Sequence, residues 1–252
     1  GELPNNIFIV KPEENYNTYK ILDRCDNILI YGSRVGIEMA ALGKTVIVAG
    51  EGFIRGKNIA FDINNLEDNK KDLSTVTDFC VEANIPSIFV LPGVTNPGQS
   101  RKDALKNSIN SLNVLNEITS KKNIQLLIEP HVHSYLESPD IVLELLSKVP
   151  GIKLALDYAH FACLGYTQDA VDVLAEHAGH VHLRQAKSGY LQTKLEEGTL
   201  NFPAMFGKLK EVGYDKYLSI EYVHQNYMMT VYDDVLSETI KMRDLFNQWK
   251  GE

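Results

Sequence analysis

Short apolar, β-branched runs recur between longer segments of helical period almost from one end of the chain to the other. No other feature constrains the fold so strongly. A run of four or five apolar residues reads as a strand buried on both faces, and an intervening helix lets consecutive strands lie parallel. The alternation predicts a parallel α/β fold. Eight runs qualify as strands, at residues 7–10, 27–31, 45–49, 87–91, 125–129, 153–157, 180–184 and 218–222. Eight is the number a closed (β/α)8 barrel requires, and 252 residues is an ordinary length for one. The expectation is a single barrel domain over residues 1–252.

Helices are expected at residues 71–83, 101–120, 139–148, 203–212 and 233–249. Ser138-Pro139 supplies an N-cap followed by the proline favoured in a first turn. Gly213 is placed to stop a helix just before the last strand.

Charge and cysteine usage narrow the function classes. A net charge of −8 opposes a nucleic-acid partner, which needs a basic footprint, and suits small substrates or a cluster of carboxylates around a cation. Cys25, Cys80 and Cys163 lie far apart and in odd number, forming neither a zinc spacing nor a disulfide framework. No stretch approaches the roughly 18 apolar residues of a membrane span. The chain opens almost directly in the run at residues 7–10, with no charged leader. These readings point to a cytoplasmic location without a membrane partner.

Four strand ends in the second half carry metal-capable residues: Leu127-Ile128-Glu129-Pro130-His131, Leu156-Asp157-Tyr158-Ala159-His160, Val181-His182-Leu183-Arg184 and Ile220-Glu221-Tyr222. Singly, an acidic residue there reads as a helix cap or loop residue, and His182 as a hydrogen-bonded core histidine. Jointly, at successive strand ends about 25 to 40 residues apart, they point to one place. In a parallel barrel those ends converge on one mouth, where barrel enzymes hold their chemistry. Converging carboxylates repel unless a cation lies between them. Three carboxylates with one histidine suit one divalent ion, Mn²⁺, Mg²⁺ or Co²⁺ more than a structural zinc.

These motifs, together with Glu197-Gly198-Thr199-Leu200-Asn201-Phe202 and Gly213-Tyr214, resemble the xylose isomerase-like TIM barrel superfamily over residues 59–252. That group includes sugar and sugar-phosphate isomerases and epimerases, dehydratases and abasic-site endonucleases. The resemblance implies that Glu129, Asp157, His182 and Glu221 bind a divalent metal, zinc included. It implies that Glu129 and Glu221 also form an acid–base pair on opposite faces of a carbohydrate substrate, working through an enediolate. His160 matches a substrate-contacting position, and His131 and Arg184 would line the same mouth. Family members are often homo-oligomers. The endonuclease branch fits poorly, because it needs histidines from early strands and the first histidine here is His131.

Residues 1–58 depart from that pattern. Ile28-Leu29-Ile30-Tyr31-Gly32-Ser33 and the following Val35-Gly36-Ile37-Glu38 look more like the nucleotide-binding half of capsule-type glycosyltransferases. The turn could hold a phosphate on free N–H groups, or be a tight turn and nothing more. The expectation is that this segment supplies atypical first βα units. The leading reading is a metal-dependent sugar or sugar-phosphate isomerase or epimerase. A dehydratase on the same scaffold, or a non-catalytic sugar-nucleotide-binding or scaffold protein, is the alternative.

Overall fold

A computed structural model describes residues 16–30, 35–48, 61–62, 66–95, 98–224 and 234–251, and divides the chain into two compact units, Gly1–Ala83 and Asn84–Glu252.

The first unit holds α1 (Thr18–Leu22), β1 (Asn27–Ile30), α2 (Val35–Ala41), β2 (Thr45–Val48), β3 (Phe61–Asp62) and α3 (Leu66–Glu82). Its three strands pair in parallel in the order β1-β2-β3. Asn17 starts α1 by accepting the N–H groups of Tyr19 and Lys20 at 3.0 and 3.3 Å, as an N-cap should. Ile28 and Ile30, two apart and on one face of β1, pack with Met39 and Val46 into a small core. The strand expected at residues 7–10 lies outside the described residues. The two-residue β3 was not anticipated, because nothing as short as Phe61-Asp62 produces a run.

The second unit holds β4 (Ser87–Val90), α4 (Arg101–Ser120), β5 (Gln125–Ile128), α5 (Pro139–Lys148), β6 (Lys153–Asp157), α6 (Tyr158–Cys163) and α7 (Gln168–Asp172). It continues with a 3₁₀ turn (Ala175–His177), β7 (Ala178–Leu183), α8 (Phe202–Glu211), β8 (Leu218–Ile220) and α9 (Val235–Lys250). The five strands are parallel and neighbour one another in chain order. Burial is deepest in the three central strands, where Leu126, Ile128, Leu154, Ala155, Leu156 and Val181 expose nothing. Tight packing reaches the backbone at Gly179, where a Cβ would stand 2.4 Å from Leu127 Cδ2 and 2.9 Å from Lys153 Cβ.

Helix ends are closed by the residues the sequence offers. Ser100, Asn201 and Asp234 accept N–H groups of the first turns of α4, α8 and α9. Asn113 and Asn116 of α4 donate to the carbonyls of Lys148 and Pro150 at 3.1 and 2.9 Å, satisfying groups that the end of α5 leaves open. Gly213, at φ +75°, turns the chain out of α8. The helices expected at 101–120 and 139–148 form with those bounds, and the one expected from 71 begins at Leu66. Among the described residues no helix is long and apolar enough to cross a membrane.

Candidate metal centre

The ladder of the second unit aligns the strand ends. Asp157 and His182 are direct partners in the β6–β7 register. The Glu129 N–H extends the β4–β5 ladder to Val90 O at 3.1 Å, and the Glu221 N–H extends the β7–β8 ladder to Leu183 O at 2.9 Å. Asp157 closes β6, His182 is the penultimate residue of β7, and Glu129 and Glu221 each stand one residue beyond β5 and β8 with their N–H groups still in the ladder, so each side chain starts from a hydrogen-bonded backbone.

One ligand atom from each of Glu129, Asp157, His182 and Glu221 lies within 4.8 Å of all the others. Glu129 and Asp157 are buried, His182 nearly so, and Glu221 is about one-third exposed. His182 Nδ1 donates to Glu129 Oε1 at 2.9 Å and lies 3.2 Å from Glu221 Oε2. One N–H cannot serve both well, and Glu221 Oε2 is left buried without a hydrogen-bond donor among the described residues. Burial alone would pull the His182 pKa down, but its contacts with Glu129 and Glu221 outweigh burial and push it up to about 10. In the absence of a cation, that proton is what screens the two glutamates from each other.

Arg184 reaches across the centre. Its Nη2 donates to Asp157 Oδ2 at 2.6 Å and stands 3.6 Å from Glu221 Oε2. Its Nε, also buried, has no acceptor among the described residues. Burial would raise the Asp157 pKa, yet the charge of Arg184, with that of His182 and the Ala159 N–H, holds it below the usual carboxylate range. That N–H bond, at 2.8 Å to Oδ1, makes Asp157 the N-cap of α6 as well. The unanticipated short helix α6 is therefore what carries His160 back over the cluster.

His160 is fully enclosed, and burial takes its pKa well below the ordinary histidine value. It is neutral. The Val132 N–H donates to its Nδ1 at 3.2 Å, so the ring proton sits on Nε2. Nε2 is 3.6 Å from Asp157 Oδ2 and 3.0 Å from Arg184 Nη2; since both Nε2 and Nη2 carry protons, the closer approach is a contact rather than a hydrogen bond. His131 joins through this ring, packing on it with centroids 4.0 Å apart. Phe89 meets His182 edge-on at 5.8 Å, and His180, bonded to Ser219 Oγ at 2.8 Å, meets it at 5.1 Å. Arg101 instead pairs with Glu137 at 2.6 Å, and both line a separate cavity of about 270 Å³ that includes none of the four ligand residues.

The donor set fits a divalent ion. Three carboxylates and an imidazole converge, and among the described residues one carboxylate oxygen is buried without a donor while a proton on His182 and the Arg184 guanidinium offset the negative charge.

Sequence reading missed Gln185 and Gln192. Gln185 Nε2 donates to the carbonyls of Leu195 and Leu200, and its Oε1 accepts the N–H groups of Ala186 and Leu200. Gly198 packs so closely against it that a Cβ would come within 2.3 Å. No sequence signal marks them: Gln185 follows Arg184 and Gln192 stands between Leu191 and Thr193, and both act on backbone groups.

The sequence profile of the family described as "Xylose isomerase-like TIM barrel" matches residues 39–242. A 2-oxo-tetronate isomerase of Pectobacterium atrosepticum is 23% identical over 167 residues, 63% of either chain; this chain thus spans less than two thirds of that relative. A probable 3-DHS dehydratase, AsbF, of Bacillus anthracis is similar in structure with a TM-score of 0.61 at 16% identity, covering 93% of this chain and 95% of the other. The IOLI protein, solved with a binding zinc atom, gives a TM-score of 0.60 at 15% identity, covering 94% and 95%. With four-fifths of its length matched by the family profile, the chain belongs to the xylose isomerase-like TIM barrel family.

Proposed function

We propose that the chain is a divalent-metal-dependent isomerase or epimerase acting on a sugar, a sugar acid or a sugar phosphate. The observation that carries the reading is the convergence of Glu129, Asp157, His182 and Glu221 with one buried glutamate oxygen that lacks a donor among the described residues. The 2-oxo-tetronate isomerase relative and the zinc bound in the IOLI protein support it.

Glu129, Asp157, His182 and Glu221 would hold the ion, which when bound acts as a Lewis acid on a carbonyl and its neighbouring hydroxyl, acidifying the carbon between them. Glu129 and Glu221 take the proton work: one accepts it from carbon, and the other returns it on the opposite face or to the next carbon. Arg184, locked to Asp157, places fixed positive charge beside the carbon acid as negative charge develops. Neutral His160 offers its Nε2 proton as a donor to a substrate oxygen, oriented by the Val132 N–H. His131, packed on that ring, borders the same substrate position.

The test is proton exchange from deuterated water into a panel of ketoses, their phosphates and 2-oxo sugar acids. Metal-loaded wild type should exchange a carbon-bound proton in at least one. Glu221→Gln should lose about 100-fold or more of that rate while its melting temperature holds. Exchange accompanied by loss of water would convert the reading to a dehydratase. No exchange anywhere in the panel, or an unimpaired Glu221→Gln, would sink it.

A further inference from the structure

Glu221, like Glu129, lies one residue beyond its strand and continues the ladder through its N–H, but β8 has only three residues and, among the described residues, a single neighbouring strand. Two residues further on, Val223 is gripped from the other side: Gln192 Nε2 donates to the Val223 carbonyl at 2.8 Å, and Gln192 Oε1 accepts the Val223 N–H at 2.9 Å. Both hydrogen-bonding groups of one backbone residue are thus satisfied by one side-chain amide that exposes nothing to solvent. Between these anchors, the buried Tyr222 accepts the Gln185 N–H on its hydroxyl at 3.2 Å.

The segment that presents Gln192 is itself rigid. Thr193 N–H bonds Gln185 O at 2.7 Å and Thr199 N–H bonds Ala186 O at 2.9 Å, while Lys187 and Tyr190 form an antiparallel bridge. The buried Glu238 accepts the Leu195 N–H at 2.8 Å. Among the described residues, the bidentate contact of this internally bonded loop with the 221–223 segment is that of Gln192 with Val223.

Resting on the metal-site reading above, we propose that Gln192 is a positioning residue for Glu221. The loop after β7 acts as a brace that fixes where the last ligand sits, and Gln192 is its point of attachment. Gln168 provides an internal control, because it makes the same two-bond grip on the backbone of Asn201, at 3.2 and 2.8 Å, away from the four ligands.

The experiment is calorimetric titration of Mn²⁺ into the metal-free 252-residue chain. Gln192→Met should weaken Mn²⁺ binding by about 10-fold or more, as loss of a supporting partner of a metal ligand does. Gln168→Met should leave the affinity unchanged even if both variants melt lower. In a Glu221→Gln background, Gln192→Met should add no further loss, because its route of action is gone. Gln192→Asn, one methylene short of the grip, replaces the methionine variant if that one does not fold. An unchanged affinity in Gln192→Met, an equal loss in Gln168→Met, or full additivity with Glu221→Gln each overturns the brace. Failure of the metal-site reading looks different: wild type takes up no Mn²⁺, or Glu221→Gln alone leaves the affinity untouched.

Discussion

His182 concentrates the electrostatics of the centre in one ring. Its imidazolium is raised to about 10 in the metal-free protein, above the roughly 6.5 of an unfolded histidine. A group raised in this sense contributes stability that is fully present below about pH 6.5 and is lost as the pH rises through about 10. Metal-free wild type should therefore lose melting temperature relative to His182→Gln as the pH is raised through that window. Equal pH slopes in the two proteins would show that the proton is not held there. Sequence could mark His182 as a candidate ligand but not as a charged one, since the two glutamates that raise it come from strands 53 and 39 residues away in the chain. His160 shows the opposite outcome from the same residue type, because it is enclosed without a carboxylate at hydrogen-bond distance.

At the scale of elements, the loop between β7 and α8 is where small changes have predictable sign. Gly198→Ala puts a Cβ 2.3 Å from the Gln185 side chain, which four hydrogen bonds prevent from yielding. Such overpacking costs about 1–3 kcal/mol. Gly207, inside α8, has nothing within 4 Å of a built Cβ, and Gly207→Ala should stabilise by about 0.5–1 kcal/mol. Urea unfolding distinguishes the two, and a harmless Gly198→Ala would mean the loop is looser than its bonds imply. The parallel strands from 87 onward were legible because uninterrupted apolar runs such as Leu126-Leu127-Ile128 leave no other period available. The brace was not: Gln185 and Gln192 act through backbone groups, which carry no sequence signature. Helix α6 was hidden for a related reason, since Asp157 reads equally as strand end, cap or ligand and here serves the first two directly.

At the scale of the whole chain, the proposed metal centre has one consequence for stability. An ion bound by four side chains from four strands has no such site in the unfolded state, so binding adds to folding by mass action. Mn²⁺ at about 100 times its dissociation constant should stabilise the protein by about 2.7 kcal/mol, seen as a rise in melting temperature that Asp157→Asn with His182→Ala abolishes. A rise that survives this double substitution would place the ion elsewhere. The family match begins at residue 39 and takes in α2 and β2, within the segment whose motifs look more like the nucleotide-binding half of a glycosyltransferase.

The grip of Gln192 on Val223 also sorts the two positions by what each is free to become. The contact is made to an N–H and a carbonyl that any residue but proline supplies, so nothing about a valine side chain is being read there. Position 223 can drift among nineteen residues without disturbing the brace, while position 192 can accept almost none. A comparison of related sequences that ranked importance by proximity to the ligands would reverse that order, crediting the neighbour of Glu221 and overlooking a glutamine some thirty residues away.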